Sequence, residues 1–252
     1  AAAAQFASTA FACASVLLLI AASGCVNRTA VMFRSHNAYA ATYTEPGWAA
    51  LVMPDDLQEE HIRVERRDTF GKDVYMIFWG QALETQLRAR FRNNYEKGTR
   101  FLSPDNAEEL ATLIAATREA SRRTPADGER WREAAAETIA AARLKAGAPA
   151  DDERFAELAE FLAEPPTHFV QILNPRAENE SERMTFRFQG VLLDGATGRE
   201  LLRKSFNAAS ETLNPGLNTK GTVRDLQGTA LQPVTGTMYL FAQEIAEVRG
   251  NL

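Results

Sequence analysis

The sequence is poor in the residues that form most catalytic and metal centres. Its 252 residues include two cysteines and three histidines. None of the histidines has a cysteine or histidine partner at the spacing of a zinc site, which needs three or four ligands. The G-x-S-x-G and H-E-x-x-H patterns of hydrolases are absent, as is S-x-x-K with its supporting motifs. The sequence therefore predicts no catalytic residue, no metal and no enzymatic activity.

The sequence also lacks an excess of positive charge and a long hydrophobic run. The net charge is −5, so nucleic acid is not an expected partner. The apolar run Phe11–Ala22 is shorter than the ~20 residues that cross a bilayer. Hydrophobic residues make up 45% of the chain and charged residues 24%. This composition is typical of a globular protein and excludes a disordered chain or a multi-span membrane protein.

The N-terminal segment has the pattern of a secretory signal. An apolar run precedes the first charged residue, Arg28. It ends in Ala22-Ser23-Gly24-Cys25, which resembles the bacterial lipobox, where the signal is cut before the cysteine and the thiol is lipidated. The resemblance implies a signal peptide over residues 1–24 and a covalent lipid on Cys25, with no other cofactor. The alternative is an uncleaved N-terminal anchor.

The compartment follows from the same segment. Removal of Cys13 with the signal leaves one cysteine in the mature chain, so no intrachain disulfide is expected. Val26 follows the lipidation site, in place of the Asp that holds many lipoproteins at the inner membrane. This resemblance implies the bacterial cell envelope, and the periplasmic face of the outer membrane rather than the inner membrane.

The rest of the chain has the pattern of an α+β fold. We expect an antiparallel sheet packed by an internal helix and by a C-terminal helix. Residues 104–164 are rich in Ala, Glu and Arg, and they predict an inserted helical hairpin or three-helix segment. The predicted organisation is a lipidated tether over 25–49, an α+β domain formed by 50–103 and 165–252, and the helical insertion over 104–164.

Periodicity supplies the individual elements. Leu83, Leu87, Phe91 and Tyr95 recur every four residues and predict the internal helix. Alternating apolar and polar residues, bounded by turn residues, predict short strands and a hairpin. A closing helix is predicted after them. The strands are expected at Ala50–Met53, His61–Glu65, 99–103 and Phe169–Leu173, with Val74–Trp79 either a strand or the start of the helix. The hairpin is expected over 184–206, loops over 176–183 and 209–228, and the closing helix from Gln232 or Thr237 to Val248.

One segment carries a resemblance to known envelope lipoproteins. FRFQGVLLDGATGRELLRKSF contains a D-x-x-T-G turn at Asp194, Thr197 and Gly198, and a closing helix follows it. This order resembles YajG-like lipoproteins, auxiliary lipoproteins of ABC-type transport systems, and curli-secretion and penicillin-binding-protein-activator lipoproteins. It implies an α+β fold related to the N-terminal domain of TolB. The helical stretch 104–164 departs from that pattern, and the group shares no catalytic residues that could be transferred.

Two arginine clusters are the candidate binding residues. They are either solvated cations paired with nearby glutamates or a docking patch for anionic lipid headgroups, glycan or an acidic partner. The patch consists of Arg63, Arg66, Arg67, Arg88 and Arg92.

The function predicted from the sequence is a non-enzymatic, lipid-anchored periplasmic adaptor in an envelope transport, secretion or assembly complex. The helical insertion is its expected surface for a protein partner or a second copy, and deletion of 104–164 is expected to leave the α+β body folded. One alternative is an accessory structural subunit of a membrane complex, held by an uncleaved N-terminal helix. Another is an envelope hydrolase.

Overall fold

The computed structural model describes residues 28–31, 44–68, 71–121, 128–180, 183–211, 213 and 223–250. This part of the chain forms eight strands and five α-helices. The strands are β1 Arg28–Val31, β2 Ala49–Val52, β3 Ile62–Asp68, β4 Gly71–Ile77, β5 Thr99–Leu102, β6 His168–Glu180, β7 Arg183–Asp194 and β8 Glu200–Ala209. The helices are α1 Trp79–Phe91, α2 Pro104–Ser121, α3 Gly128–Ala146, α4 Glu153–Ala163 and α5 Val223–Gly250.

The larger sheet has five strands in the order β5-β2-β6-β7-β8. Strand β2 pairs in parallel with both β5 and β6, whereas β6, β7 and β8 form an antiparallel meander. The α+β class is confirmed. The predicted antiparallel pairing holds for the meander. The long connections through α1 and through α2–α4 instead bring β2, β5 and β6 together in parallel, because parallel strands need a crossover.

The strand β2 is buried on both faces, which sets the layers of the molecule. Ala49 and Leu51 belong to one hydrophobic core, together with side chains of α1, β7 and α5. Ala50 and Val52 belong to a second core, formed with α2, α3 and α4. All four residues are buried, because successive side chains of a strand point to opposite faces and both faces of β2 are covered.

The helical insertion is fixed to the sheet through Trp48. The Trp48 indole Nε1 donates to the Glu164 carbonyl oxygen at 2.7 Å, and its ring contacts Phe161 of α4 at a centroid distance of 5.2 Å. Arg100 of β5 lies over both rings and pairs with Glu160 at 2.6 Å. Removal of 104–164 would uncover this face of β2 and Phe169 of β6. Contrary to the prediction from the sequence, we therefore expect deletion of 104–164 to destabilise the α+β body.

A smaller sheet has the order β1-β4-β3. Strand β1 lies inside the predicted tether and pairs in parallel with β4, while β3 and β4 form an antiparallel hairpin. Ile62, Val64, Tyr75 and Ile77 pack into the first core. Residues 71–77 are therefore the strand that the apolar run left open, and the helix begins at Trp79.

Two predicted loops are partly regular structure. Residues 176–180 continue β6 after a register shift between Leu173 and Arg176. Asn174, with φ of 50°, and Pro175 form this irregularity, a position where a strand tolerates proline. The polar run beyond them pairs with β7, so the loop prediction was wrong there.

The C-terminal helix begins at Val223, nine residues before the earlier of the two predicted starts. Leu226, Ala230, Leu231 and Val234 extend its buried stripe, and this packing outweighs Pro233 inside the helix. The Thr237 hydroxyl donates to the Pro233 carbonyl oxygen at 2.7 Å. The hydrogen bond lost at this turn is a different one, because Pro233 has no N–H to donate to the carbonyl oxygen four residues earlier.

The packing of α5 on the sheet predicts different effects for two glycine substitutions. A Cβ at Gly190 of β7 would lie 2.6 Å from the Phe241 ring, which Phe91, Phe188 and Phe206 surround. We expect Gly190→Ala to lower the free energy of unfolding by about 1–3 kcal/mol in urea titrations. Gly236→Ala is the matched control, because nothing lies within 4 Å of a Cβ there, and we expect it to stabilise α5 by about 0.5–1 kcal/mol. Equal effects of the two changes would contradict this packing.

Candidate docking surfaces

A groove of about 310 Å³ runs between α3 and α4 on the outer side of the helical insertion. Alanines form most of its wall because the two helices place small residues along their seam. It is lined by Arg132, Ala135, Ala136, Ile139, Ala140, Arg143, Ala159 and Ala163. The Trp131 indole Nε1 holds the helices together by donating to the Leu162 carbonyl oxygen at 2.9 Å. The sequence showed the alanine-rich seam but gave no indication of a groove.

The groove carries positive charge along one wall. Arg132 and Arg143 both line it, and they are eleven residues apart on α3. Eleven residues make about three helical turns, so the two backbone positions lie about 16 Å apart on one face. Arg143 also donates to the Ala150 carbonyl oxygen at 3.1 Å. Beside Arg143, Leu144 is 83% exposed. The surface therefore combines shallow apolar walls with two separated cations.

The structure divides the predicted arginine patch between two elements. Arg63, Arg66 and Arg67 lie on β3, whereas Arg88 lies on α1 and Arg92 in the 3₁₀ turn after it. The β3 group lies beside the end of β6, and the α1 group beside β5, which is separated from β6 by β2. The five arginines therefore do not form one surface.

Individual contacts support this division. The Arg63 carbonyl oxygen accepts a hydrogen bond from Asn179 at 3.1 Å. The Arg88 guanidinium lies 4.6 Å from the ring centroid of Phe101. Phe101 of β5 pairs with Leu51 of β2, and Leu51 pairs on its other side with Val170 of β6. Nine residues of β6 separate Val170 from Asn179, roughly 30 Å along a strand.

A second, smaller cavity of about 210 Å³ lies where β2 and β5 end. Helix α1, which follows β2 along the chain, covers one face of the sheet, and α2–α4, which follow β5, cover the other. The cavity therefore lies at a topological switch point, the place where open α/β sheets bind ligands. Three of its polar side chains, Gln58, Glu84 and Ser103, are engaged within the chain. Glu84 accepts from Gln58 at 2.9 Å and lies 3.5 Å from Arg88, while the Ser103 hydroxyl accepts from the Asn106 amide at 3.2 Å. These contacts make Ser103 a helix cap and Glu84 an anchored carboxylate.

A buried polar cluster lies at the opposite end of β2. The Tyr95 hydroxyl is 3.1 Å from Nδ1 of His168, the first residue of β6. Glu45, bridged to Tyr95 through the backbone, forms an ion pair with Arg249 of α5, with 2.6 Å between Arg249 Nε and Glu45 Oε1. Burial, and secondarily the charge of Arg249, lowers the pKa of His168 to about 4. The cluster joins the segment that leads into β2 to the last helix of the described chain.

The lipidation and membrane predictions concern residues outside the described part of the chain. Cys25 lies outside the described residues, so its lipid stays a prediction. No helix within the described ranges is long and apolar enough to cross a membrane. In those same ranges, no group of three or more His, Cys, Asp or Glu residues is arranged to hold a metal ion.

The lowered pKa of His168 predicts a pH-dependent stability. The unfolded chain binds a proton near pH 6.5 but the folded one only near pH 4, so stability is complete above about pH 6.5 and falls between these values. In urea titrations, the free energy of unfolding of the unaltered chain should fall between about pH 7.5 and about pH 5. We expect His168→Asn to show a smaller fall, because asparagine does not take up a proton. The exposed His61 serves as the control, and His61→Asn should keep that loss. An unchanged pH profile in His168→Asn would disprove the assignment.

Comparisons with known proteins leave the family open. No family model matches the chain, and no curated protein matches it. Among solved structures, the hypothetical protein CT253 from Chlamydia trachomatis has 11% identity and a TM-score of 0.32, with 81% of this chain and 96% of that chain covered.

Proposed function

We propose that the protein is a lipid-anchored adaptor of the bacterial envelope, which recruits a partner through the helical insertion. The groove between α3 and α4 is the observation that supports this proposal most directly. Its occupant is an amphipathic helix of a protein partner. Alanine walls let a second helix approach closely, as small residues do at helix interfaces.

The charges of the groove define the partner further. A helix that bears two carboxylates about three turns apart would place them opposite Arg132 and Arg143. The stretch between those carboxylates would carry alanine or leucine, to fill the apolar floor around Ile139 and Ala159. Complementary charges of this kind set register and exclude other partners more than they add affinity.

The rigid support of the insertion favours a recruiting role. Its helices pack on β2 through the second core, and Trp48 and Arg100 fix α4 to the sheet. A pre-organised surface loses little conformational entropy when a partner binds. Lipid on Cys25 would confine this surface to the membrane and raise its effective concentration for partners there.

Intact-mass measurement of the protein extracted from its native membrane tests the anchor. We expect a species that begins at Cys25 and carries the added mass of a diacyl or triacyl modification. A species that keeps residues before Cys25 without lipid would contradict the lipoprotein and favour the accessory subunit held by its N-terminal helix. Cys25→Ser is the control, and it should remove the lipid mass.

Two neighbouring alanines of α3 test the groove. Ala140 lines it, whereas Ala141 is exposed on the same helix and does not. The probe is a synthetic helical peptide with an alanine–leucine face and glutamates eleven residues apart. We expect Ala140→Glu to weaken its binding about tenfold or more by calorimetry, because the new carboxylate fills the groove and repels the glutamates. Ala141→Glu should leave the binding unchanged.

The same pair of variants tests recruitment in the membrane. Proteins that copurify with the unaltered chain and with Ala141→Glu, and are lost with Ala140→Glu, are the expected partners. Equal weakening by both substitutions, or equal binding of a peptide with lysines in place of the glutamates, would contradict the proposed occupant. A dimer seen by light scattering and abolished by Ala140→Glu alone would replace the partner helix by a second copy of this chain.

A further inference from the structure

One edge of the five-stranded sheet is long and has no neighbour among the described strands. β8 lies at the end of the strand order and pairs with β7 on one side only. It has ten residues, Glu200–Ala209, whereas the edge strand on the opposite side, β5, has four. A long edge strand offers a row of backbone N–H and C=O groups to another strand, and short edge strands avoid this. β8 is therefore the edge of this sheet at which a further strand can add.

The side chains in the middle of β8 leave this edge accessible. Phe206 packs on the α5 side of the sheet, so Arg203, Ser205 and Asn207 lie on the other face. All three of these residues are exposed. A strand that adds beside them would extend a surface that is already polar on this face.

The charges of β8 restrict how the strand could pair with its own copy. In an antiparallel pair related by a twofold axis perpendicular to the sheet, one residue lies on the axis and faces its own copy. An axis at Arg203 or at Lys204 would set like charges directly opposite each other, which destabilises antiparallel strands. An axis at Ser205 pairs Leu201–Ala209, all but one residue of the strand. Arg203 then faces Asn207 of the other copy, and no like charges are directly opposed.

Helix α5 lies over the same edge. Phe241 of α5 contacts the Phe206 ring of β8 at a centroid distance of 5.3 Å, and it also covers Gly190 of β7. Glu244 of α5 forms an ion pair with Lys204 of β8. The helix therefore lies above β7 and β8. Because paired strands are about 4.8 Å apart, a twofold axis at the edge would set two such helices roughly 10 Å apart, the spacing of packed helices.

Leu240 lies on the side of α5 that faces this edge. Residues four apart share one side of a helix, and Leu240 precedes Glu244, which pairs with β8, by four residues. Leu240 is 48% exposed although it is a large apolar side chain. Phe241, the next residue, contacts Phe206, which follows Ser205, so Leu240 lies level with an axis at Ser205. The axis that the strand charges favour would therefore also bring the two copies of Leu240 together.

We infer that two copies of this chain associate through their β8 edges, in antiparallel pairing about Ser205, with Leu240 of each α5 packed across the axis. The association joins two five-stranded sheets into one continuous sheet, and its twofold symmetry closes it as a dimer. It rests neither on a lipid at Cys25 nor on the groove between α3 and α4, so it goes beyond the proposed function. The helical insertion covers the face of the sheet opposite α5, so the dimer leaves both grooves accessible.

Sedimentation equilibrium tests this association. The sample is the chain over residues 25–252 with Cys25→Ser, which keeps every described residue. We expect a monomer–dimer equilibrium in the micromolar range. Leu240→Lys should raise the dissociation constant about tenfold or more, because it removes an apolar contact and brings two cations together at the axis. Its thermal midpoint under dilute, monomeric conditions should stay unchanged, since Leu240 is half exposed in the single copy.

Gln243→Lys is the matched control on the same helix. Gln243 is exposed and follows Tyr239 by four residues, on the side where the Arg90 guanidinium of α1 lies 5.5 Å from the Tyr239 ring centroid. Each new lysine precedes a glutamate by four residues, Glu244 or Glu247, so the local charge pattern of α5 changes equally. Gln243→Lys should leave the dissociation constant unchanged, because its side chain lies away from the β8 edge.

Two glutamate substitutions on β8 test the register. Ser205→Glu places two carboxylates directly opposite each other on the axis, and we expect it to raise the dissociation constant about threefold. Asn207→Glu places a carboxylate opposite Arg203 of the other copy, twice in each dimer, and it should lower the constant by about threefold to tenfold. Both variants add the same charge to the same face of one strand, so opposite effects follow from the register about Ser205.

Several outcomes would overturn the inference. They are a chain that stays monomeric far above micromolar concentration, equal weakening by Leu240→Lys and Gln243→Lys, or effects of the two glutamates in the same direction. Ala140→Glu should lose the helical peptide but keep this dimer. A monomer that still binds the peptide would refute the β8 pairing and keep the proposed function, so the two failures are distinguishable.

Discussion

The burial of β2 on both faces is the constraint on which the other layers depend. Four residues, Ala49–Val52, are covered from two sides, so each face of the sheet needs its own set of helices. α1 and α5 cover one face, and the helical insertion covers the other. A strand that alternated between core and solvent would have needed only the first set. The insertion is therefore part of the sheet's core as well as the proposed surface for partners.

This arrangement separates the tasks of the molecule in space. The seam of α2, α3 and α4 that faces the sheet contributes stability, while the outer seam between α3 and α4 stays open as a groove. The smaller sheet packs on the first core, which α1 and α5 share, rather than on the second. The groove and the smaller sheet thus belong to opposite sides of the five-stranded sheet.

Local patterns predicted most of the elements but not the way in which they meet. The three helices of the insertion, the hairpin at Asp194 and the stripe of Leu83, Leu87 and Phe91 follow from periodicity and turn residues, and the structure contains them. The prediction of Tyr95 on the same helical stripe was wrong, because α1 ends at Phe91 and Tyr95 is extended and bridges to Glu45. The continuation of β6 past Pro175 and the early start of α5 were missed, since pairing with β7 and burial against the sheet outweigh local preference there.

The candidate sites were harder to predict than the fold. Neither the groove nor the contact of Tyr95 with His168, 73 residues apart, depends on neighbours in sequence. The arginines could be listed from the sequence, but their division between β3 and α1 depends on strand register and packing. Periodicity assigns residues to elements; only the tertiary arrangement decides which of them share a surface.

The ion pair between Glu45 and Arg249 has a mechanical consequence. It links the segment that leads into β2 to the last turn of α5, so the entry to the five-stranded sheet and the end of α5 are neighbours. A force transmitted from before Arg28 first loads the pairing of β1 with β4, and only beyond β1 does it reach this ion pair and pull β2 along its own axis. Both neighbours of β2 are parallel strands, whose hydrogen bonds lie across that axis and share the load, so β2 resists being pulled out along its length.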